Sequence, residues 1–359
     1  MSVSRPGSSL NEIATLLGVS SATVSNALAG KGRVSAELAE KIRATAASLG
    51  YTPSMTGRAL RTGRTQVLGL VLPNIANPLF PQIAQAIEQA AAKAGYGVLI
   101  ADSHGDIAAQ TAAINRLIER SVDGIVVVPR RGTRVADIGR PVAVIDSPST
   151  PGNTVSADHW QGGQAIVDHL AGLGHRNFLL IGNNTDSNVQ NDRIGGMKSR
   201  LPQDGRAEVM WIESHEKHKG KGAPLGLKDK VAAGFTALCA VSDLHALRAL
   251  TELQGAGIAV PQQVSVTGFD DLVFSSVITP SLTTVRMDMG TIAEIAIAAL
   301  VRAIETEIKA STEQLRTTSG TLVTAEQKSV PMALVVRQTS GRRAFSPHKM
   351  DLLPEGEHR

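Results

Sequence analysis

The sequence predicts an α/β protein with two parts: a small helical head, and two lobes of doubly wound parallel sheet behind it. Three observations support this fold. The first 65 residues or so contain apolar side chains at helical spacing and no run typical of a strand. Beyond them, short apolar runs alternate with helical segments over roughly 220 residues, which is the pattern of doubly wound sheets. The chain, at 359 residues, is also longer than one hydrophobic core usually supports.

Composition excludes several classes of protein. The chain is 42% hydrophobic and 19% charged, as globular proteins are. Its single cysteine, Cys239, excludes a disulfide framework and any zinc site built on two or more cysteines. No apolar run reaches the roughly 18–20 residues of a membrane helix, and the N-terminal segment lacks the apolar stretch of a signal peptide. We therefore expect a cytoplasmic protein that has no membrane partner.

The net charge of +4 is unevenly distributed along the chain. Residues 1–64 contain eight Lys or Arg and three Glu, which gives the head a charge of +5. The remaining residues contain 28 basic and 29 acidic side chains, a balance of −1. A basic head on a nearly neutral body suggests a polyanion as partner, although basic faces are often only solvated surface.

Three short helices are predicted in the head, at Leu10–Leu17, Ser21–Leu28 and Ala36–Leu49. Gly18 ends the first helix, and Ser20 and Ser35 are N-caps for the second and third. Because a tight turn joins the first two helices, they fit a helix-turn-helix, a motif that places its second helix in the major groove of DNA. The alternative is a plain three-helix bundle with a polar surface.

Small and polar residues begin the second helix: Ser21, Ala22, Thr23, Ser25 and Asn26. Asn26 can bond a base edge, Ala22 can contact a thymine methyl group, and the hydroxyl groups can hold phosphates. After the bundle, Ser54 can cap a further short helix in which Leu60 lies between Arg58 and Arg61. Such a leucine suits a wedge between base steps in the minor groove. The alternative is a helical linker.

In the body, the chain divides into two strand–helix series, which predict two similar lobes with a cleft between them. Strands are predicted at Val67–Leu72, Val98–Ala101, Gly124–Val128, Val142–Ile145, Phe178–Ile181, Leu238–Val241 and Val264–Gly268, with helices at Phe80–Ala94, Ala108–Arg120, Gly162–Leu173 and Leu244–Gly255. The predicted domains are a DNA-binding domain (1–53), a hinge helix and linker (54–65), an effector-binding domain (66–341) and a disordered tail (342–359). Lobe 1 comprises about 66–158 and 289–318, and lobe 2 about 159–288 and 319–341. Segments 213–230 and 309–330 are expected to form polar loops or insertions.

Polar residues follow four of the predicted strands. Asn74 and Asn77 come after the first strand, and Asp146-Ser147, Ser242-Asp243 and Asp270-Asp271 come after later ones. Ligands of such sheets bind at the carboxyl ends of the strands, so these groups predict a site for a ligand rich in hydroxyl or NH groups. For any single aspartate, a helix N-cap or a turn remains the alternative.

These motifs resemble one known family. The stretches Asn11–Gly30, Arg58–Arg64 and Gly268–Asp271 are similar to the lac repressor (LacI/GalR) family of transcriptional regulators. The body also resembles the periplasmic sugar-binding proteins, and the resemblance covers about residues 10–341. It implies that Ser21, Ala22 and Asn26 read bases and that Leu60 is the minor-groove wedge. It further implies effector contacts from Asn77, Phe80, Asp146, Arg193, Asp243 and Asp270, to which we add Ser147.

The sequence thus predicts a ligand-responsive repressor that binds a near-palindromic double-stranded DNA operator as a homodimer. The expected DNA-binding residues are Ser20, Ser21, Ala22, Thr23, Ser25, Asn26, Arg33, Tyr51, Arg58, Leu60 and Arg61. The effector is expected to be a pentose, a nucleoside or a related polar metabolite, since few aromatic rings are available for stacking. No cofactor is expected, nor any metal site: His215 and His218 are read as part of a solvated loop, and Cys239 as a buried, inert thiol.

Two rival functions share parts of these features. A periplasmic-type solute-binding protein would share the body, but the basic head and the missing signal peptide oppose it. An α/β enzyme acting on a sugar or nucleoside is opposed by the lack of a nucleophile or an acid–base set.

Overall fold

A computed structural model describes residues 9–28, 30, 32, 34–51, 57, 59, 63–129, 132–133, 138–147, 152–312 and 328–343. These residues form two compact units that divide between Thr65 and Gln66. Four of the residues predicted to bind DNA, Arg33, Arg58, Leu60 and Arg61, lie outside the described residues, as does the tail beyond residue 343. The hinge helix and its wedge therefore stay predictions.

The head contains the three predicted helices: α1 (Leu10–Leu17), α2 (Ser21–Leu28) and α3 (Ala36–Ser48). Both predicted serine caps are present. Ser20 Oγ accepts a hydrogen bond from Thr23 N at 3.1 Å, and Ser35 Oγ accepts one from Leu38 N at 3.3 Å. Side chains from all three helices meet in one small core, in which Ile13, Val24 and Ile42 are fully buried. This core holds the turn between α1 and α2 in place.

The body follows the predicted alternation of strands and helices. Its strands are β1 (Val67–Leu72), β2 (Gly97–Asp102), β3 (Gly124–Val127), β4 (Val142–Ile145), β5 (Asn153–Ala157), β6 (Asn177–Gly182), β7 (Arg206–Trp211), β8 (Ala237–Ala240), β9 (Ser265–Thr267), β10 (Thr284–Arg286), β11 (Lys328–Val330) and β12 (Ala333–Val335). Its helices are α4 (Leu79–Lys93), α5 (Ile107–Glu119), α6 (His159–Gly172), α7 (Asn188–Ser199), α8 (Ile212–Lys219), α9 (Leu227–Ala232), α10 (Asp243–Gly255) and α11 (Met289–Thr312), with a 3₁₀ turn at Val273–Ser276.

Two parallel sheets form the two lobes. The strand order is β11-β5-β4-β3-β1-β2 in the first sheet and β7-β6-β8-β9 in the second. Strands β10 and β12 form a separate antiparallel pair. Strands at the centre of the sheets, such as β3, β4 and β8, are buried along their whole length, as expected for parallel strands covered by helices on both faces.

The structure corrects two sequence predictions. The segment 213–230 is not a loop, because most of it lies in helices α8 and α9. A tertiary contact stabilises this region: Arg248 on α10 pairs with Glu216 at 2.8 Å and donates to Ala223 O at 2.7 Å. Strand β11 pairs with β5 in the first sheet, so the segment 319–341 does not lie wholly in lobe 2. No helix among the described residues is long and apolar enough to span a membrane.

Candidate functional site

Helix α2 presents a polar face on the head. Val24 and Ala27 are buried against the other helices, whereas Ala22 and Asn26 are exposed and Ser21, Thr23 and Ser25 are half-buried. Because these residues at the start of α2 are exposed or half-buried, they are available to a partner. Their small size leaves room for a close approach of the helix to DNA.

Two further residues of the predicted DNA-binding set have structural contacts in the head. The Ser20 hydroxyl caps the N-terminus of α2, and its Oγ also lies 2.9 Å from Thr23 Oγ1. Tyr51 packs against the core of the head, and its backbone N donates to Ala46 O at 2.8 Å. Both residues therefore stabilise the helices that form this surface.

A cleft opens where the strands of both lobes end. It has a volume of about 640 Å³, within the usual range for small-molecule sites. Six of the seven residues predicted to contact an effector line it: Asn77, Phe80, Asp146, Ser147, Arg193 and Asp270. The two lobes thus bring together residues that lie almost 200 positions apart in the sequence, because parallel sheets align their carboxyl ends.

Asp243 does not line the cleft, which corrects the prediction for this residue. Its side chain is fully buried and both carboxylate oxygens accept hydrogen bonds from the protein. Oδ2 accepts from Leu272 N at 2.7 Å and Ser275 Oγ at 2.6 Å, and Oδ1 accepts from Thr284 Oγ1 at 2.6 Å. Burial raises the pKa of Asp243 to about 7 despite these bonds. The carboxylate therefore holds the loop after β9 rather than a ligand.

A buried chain of polar side chains lies beneath the cleft and crosses from lobe 1 to lobe 2. His159 Nε2 contacts Asp146 Oδ1 at 2.7 Å, and Arg193 Nε donates to His159 Nδ1 at 3.2 Å. Arg193 Nη2 lies 2.9 Å from Asp270 Oδ1. Because Nδ1 of His159 accepts a hydrogen bond, Nε2 must carry the hydrogen that it donates to Asp146. All four side chains are at most 9% exposed.

Arg193 contacts several groups around this buried series of polar side chains. Besides His159 and Asp270, its guanidinium donates from Nη1 to Val241 O at 2.6 Å and lies 4.4 Å from the centroid of the Phe269 ring. The contact with Asp270 is an ion pair whose geometry falls short of a hydrogen bond, so Asp270 Oδ1 has no hydrogen-bond donor among the described residues. A buried carboxylate oxygen without a donor suits a ligand hydroxyl or NH group.

The two cleft carboxylates have opposite pKa shifts. Burial raises the pKa of Asp270, and the charge of Arg193 only partly offsets it. Burial also opposes ionisation of Asp146, but the hydrogen bond from His159 and the charge of Arg193 lower the pKa of Asp146. Both residues have positive φ angles, 55° and 102° for Asp146 and Asp270. Such strained backbone in non-glycine residues is typical of ligand sites.

Close helix packing positions His159 and Arg193 next to each other. They lie on α6 and α7, whose backbones approach through glycine residues. A Cβ atom on Gly163 would lie 2.3 Å from Arg193 O, and one on Gly196 would lie 2.1 Å from Trp160 O. No larger residue fits at either position without moving a helix.

Ser242 lines the cleft, in line with its predicted place at a strand end, and His245 is among the cleft residues that sequence reasoning missed. Ser242 caps α10, and its Oγ lies 2.7 Å from His245 Nδ1. Burial, together with the charges of Arg248 and Arg193, lowers the pKa of His245 to about 4, so the ring is neutral near pH 7. The Ser-x-x-His spacing after β8 was the signal that marked this pair.

The aromatic residues near the cleft take different places. Phe80 lines the cleft as predicted. Phe269 is fully buried below Arg193, and Trp160 packs over Gly195 on α7. The expectation that few rings would be available to a ligand therefore holds for the cleft lining, in which Phe80 is the aromatic ring.

His215 and His218, which the sequence predicted to lie in a loop, are not in a cluster of metal ligands. His215 Nε2 contacts Pro224 O at 2.9 Å and His218 Nδ1 contacts Ser214 O at 2.7 Å. Within the described part of the chain, no three His, Cys, Asp or Glu residues are placed to hold a metal ion. Cys239 is buried, as predicted, and burial raises the pKa of its thiol to about 12.

Comparisons with known proteins agree with these two parts of the chain. Residues 9–54 match the family of bacterial regulatory proteins, lacI family, and residues 167–340 match a periplasmic binding protein-like domain. The HTH-type transcriptional regulator DegA of Bacillus subtilis is 30% identical over 287 residues, which cover 76% of this chain and 85% of DegA. The chain belongs to the lacI family. It is therefore a DNA-binding transcriptional regulator and not an enzyme.

Two further similarities extend this assignment. The ribose operon repressor of Haemophilus influenzae is 29% identical over 306 residues, covering 82% of this LacI-family chain and 92% of that repressor. The crystal structure of the lac repressor dimer bound to operator and the anti-inducer ONPF superposes with a TM-score of 0.73 at 24% identity. The match covers 94% of this chain and 100% of that one. That structure shows the shared fold of head and body.

Proposed function

We propose that this regulator is a homodimeric repressor of a near-palindromic operator, controlled by a small polar effector in the cleft. Helix α2 reads the major groove, and Leu60 enters the central minor groove between Arg58 and Arg61. The DNA-binding set from Ser20 to Arg61 supplies base and phosphate contacts. Effector binding favours one separation of the two lobes and so shifts the regulator between states of different operator affinity.

The observation that carries the effector proposal is the set of buried hydrogen-bonding groups around the cleft. Asp146 and Asp270 are acceptors, and Arg193 and Asn77 offer N–H donors. Such alternation of donors and acceptors suits a compound with several hydroxyl groups, as pentoses and nucleosides have. A similarity to a ribose operon repressor supports the same class.

The charge of the cleft lining narrows the class of effector further. Five carboxylates line the cleft, against one guanidinium from Arg193: Asp106, Asp146, Asp186, Glu213 and Asp270. With His245 neutral, this excess of negative charge opposes anionic ligands such as sugar phosphates. We therefore propose an uncharged sugar or nucleoside.

Exposed apolar side chains support the homodimer. Strand β2 is an edge strand of the first sheet and exposes Leu99 and Ile100. On the second lobe, Val273 and Val277 are 76% and 72% exposed. Exposed apolar side chains on a sheet edge are available for association, and the lac repressor structure of the same fold is a dimer bound to operator.

The effector proposal is tested by thermal unfolding of the full chain with pentoses, hexoses, nucleosides, purine bases and sugar phosphates. We expect a neutral compound to raise the melting temperature by mass action and its phosphate not to. Asp270→Asn should abolish the rise, whereas Asp204→Asn, at an exposed site paired with Arg176, should leave it unchanged. A rise with only anionic or large apolar compounds would contradict the proposal.

DNA binding is tested by titrating the full chain with duplexes over a range of salt concentrations. Specific binding should fall steeply with salt, because phosphate contacts release counterions. Leu60→Ala should weaken binding to a selected site far more than binding to random duplex, and equal losses would refute the wedge. The mass of the complex should correspond to two chains per operator.

A further inference from the structure

The side chains of Asn11 and Ser21 meet on the polar surface of the head. Asn11 lies in the first turn of α1 and is exposed, and Ser21 is the first residue of α2 and half-buried. Ser21 Oγ donates a hydrogen bond to Asn11 Oδ1 at 2.6 Å, across the turn that joins the two helices. A residue of α1 therefore belongs to the surface from which α2 reads bases.

This hydrogen bond fixes the polarity of Ser21. A serine hydroxyl has one hydrogen to donate and two lone pairs, and it rotates to suit its partner. Because its hydrogen goes to Asn11, the hydroxyl can offer only lone pairs to a further partner. Asn11 keeps its amide Nδ2, which donates to no other residue that the structure describes. The pair thus presents one donor beside one acceptor.

The four bases differ in what they present in the major groove. Adenine has an acceptor, N7, beside a donor, the N6 amino group, whereas guanine has two acceptors. Cytosine has a lone amino donor, and thymine has one acceptor and a methyl group. A donor beside an acceptor on the protein is complementary to adenine, as the side-chain amides of Asn and Gln are.

We infer that Asn11 and Ser21 form one base-reading unit that selects adenine at a single position of each half-site. Asn11 Nδ2 donates to N7, and Ser21 Oγ accepts from the N6 amino group. A free serine in this place would read either kind of group, so Asn11 is the specificity-determining partner. The inference rests on the proposed entry of α2 into the major groove.

The test is a selection with the full-length chain from duplexes that carry two randomised half-sites. Bound sequences are compared for the wild type, Asn11→Ala, Ser21→Ala and the double variant. The wild type should enrich adenine at one position. Each single variant should reduce that preference roughly tenfold at the same position, as expected for loss of a bidentate contact. The double variant should lose no more than either single one, because one substitution already breaks the unit.

Asn11→Asp provides a sharper test. Aspartate keeps the oxygen that receives the Ser21 hydrogen, but it replaces the Nδ2 donor with a second acceptor. Two acceptors suit the amino group of cytosine. The preferred base at this one position should therefore change from adenine to cytosine, with the rest of the half-site unchanged.

Two control variants separate the possible outcomes. Ser48→Ala removes an exposed hydroxyl at the end of α3 and should leave the selected sequence unchanged. Asn26→Ala should alter a different position, as expected if α2 reads bases. If Asn26→Ala does so while the Asn11 variants alter nothing, or weaken all duplexes equally, this inference is overturned and the placement of α2 stands. If neither residue alters any position, the placement of α2 fails as well.

Discussion

Replacing Gly196 by alanine should destabilise the body although alanine is the better helix former. A Cβ atom at this position would lie 2.1 Å from Trp160 O, a backbone atom on the neighbouring helix. Atoms in contact are normally more than 3 Å apart, so α6 and α7 must separate by about 1 Å. Helix propensity returns only about 1 kcal/mol. We expect a net loss of about 2 kcal/mol, since overpacking at the upper end of its usual range costs about 3 kcal/mol.

The assay is thermal and urea unfolding of the full chain, followed by circular dichroism. A loss of this size should lower the melting temperature of the body by roughly 4–8 °C, at about 2–4 °C per kcal/mol. Gly172→Ala is the matched control, because a Cβ at the exposed end of α6 meets nothing within 4 Å. This control should stabilise slightly.

Gly196→Ala also bears on the site. Separation of the helices lengthens the 3.2 Å bond from Arg193 Nε to His159 Nδ1 and so disturbs the buried chain under the cleft. Effector affinity should therefore fall with stability. If Gly196→Ala unfolds at the same temperature as Gly172→Ala and keeps its effector affinity, the close approach of α6 and α7 is not a constraint on this fold.

Three further predictions follow from single buried or capping residues. Because the pKa of Asp243 is raised to about 7 in the folded state, its carboxyl ionises in the unfolded chain first as the pH rises from about 4 to 7. Over this range the free energy of unfolding of the wild type should fall by roughly 1.4 kcal/mol per pH unit relative to that of Asp243→Asn. Urea unfolding at a series of pH values measures this difference, and parallel curves for the two proteins would contradict it. Cys239, with its pKa of about 12, should resist alkylation at pH 8 until urea unfolds the chain; rapid labelling in native buffer would argue against its burial. Ser35→Ala removes the N-cap of α3 and should lower the free energy of unfolding of the head by about 1 kcal/mol, as measured by urea unfolding. Ser48→Ala should change this free energy little.

Sequence patterns predicted many of the regular elements but missed others, among them strand β7 and the 24-residue helix α11. The apolar runs of β1 and β4 and the helix ends set by Ser20 and Ser35 depend on neighbouring residues, which is why they were found. Helix α8 was missed because all its side chains except Ile212 are polar or charged. Arg248 on α10 pairs with Glu216 of this helix, and a local window does not contain that residue.

In the cleft, the family resemblance led to Phe80 and Arg193, and the rule that ligands bind at strand ends led to Asn77, Asp146, Ser147 and Asp270, all of which line it. The rule failed for Asp243, whose carboxylate turns inward to Leu272 N, Ser275 and Thr284. A residue at a strand end can face the cleft or the core, and the choice depends on which donors the fold brings near. Nothing local to Asp243 in the sequence distinguishes these two outcomes.

The sequence by itself determined the class of protein: a basic helical head, a body of two parallel-sheet lobes, and polar residues collected at one edge of each sheet. These features depend on periodicity and on composition, which a chain carries without folding. Only the tertiary structure decided which polar groups meet. The chain from Asp146 through His159 and Arg193 to Asp270, and the bond from Ser21 to Asn11, join residues between 10 and about 120 positions apart. Their partners are set by helix packing and by the direction of each side chain, which depend on the whole fold.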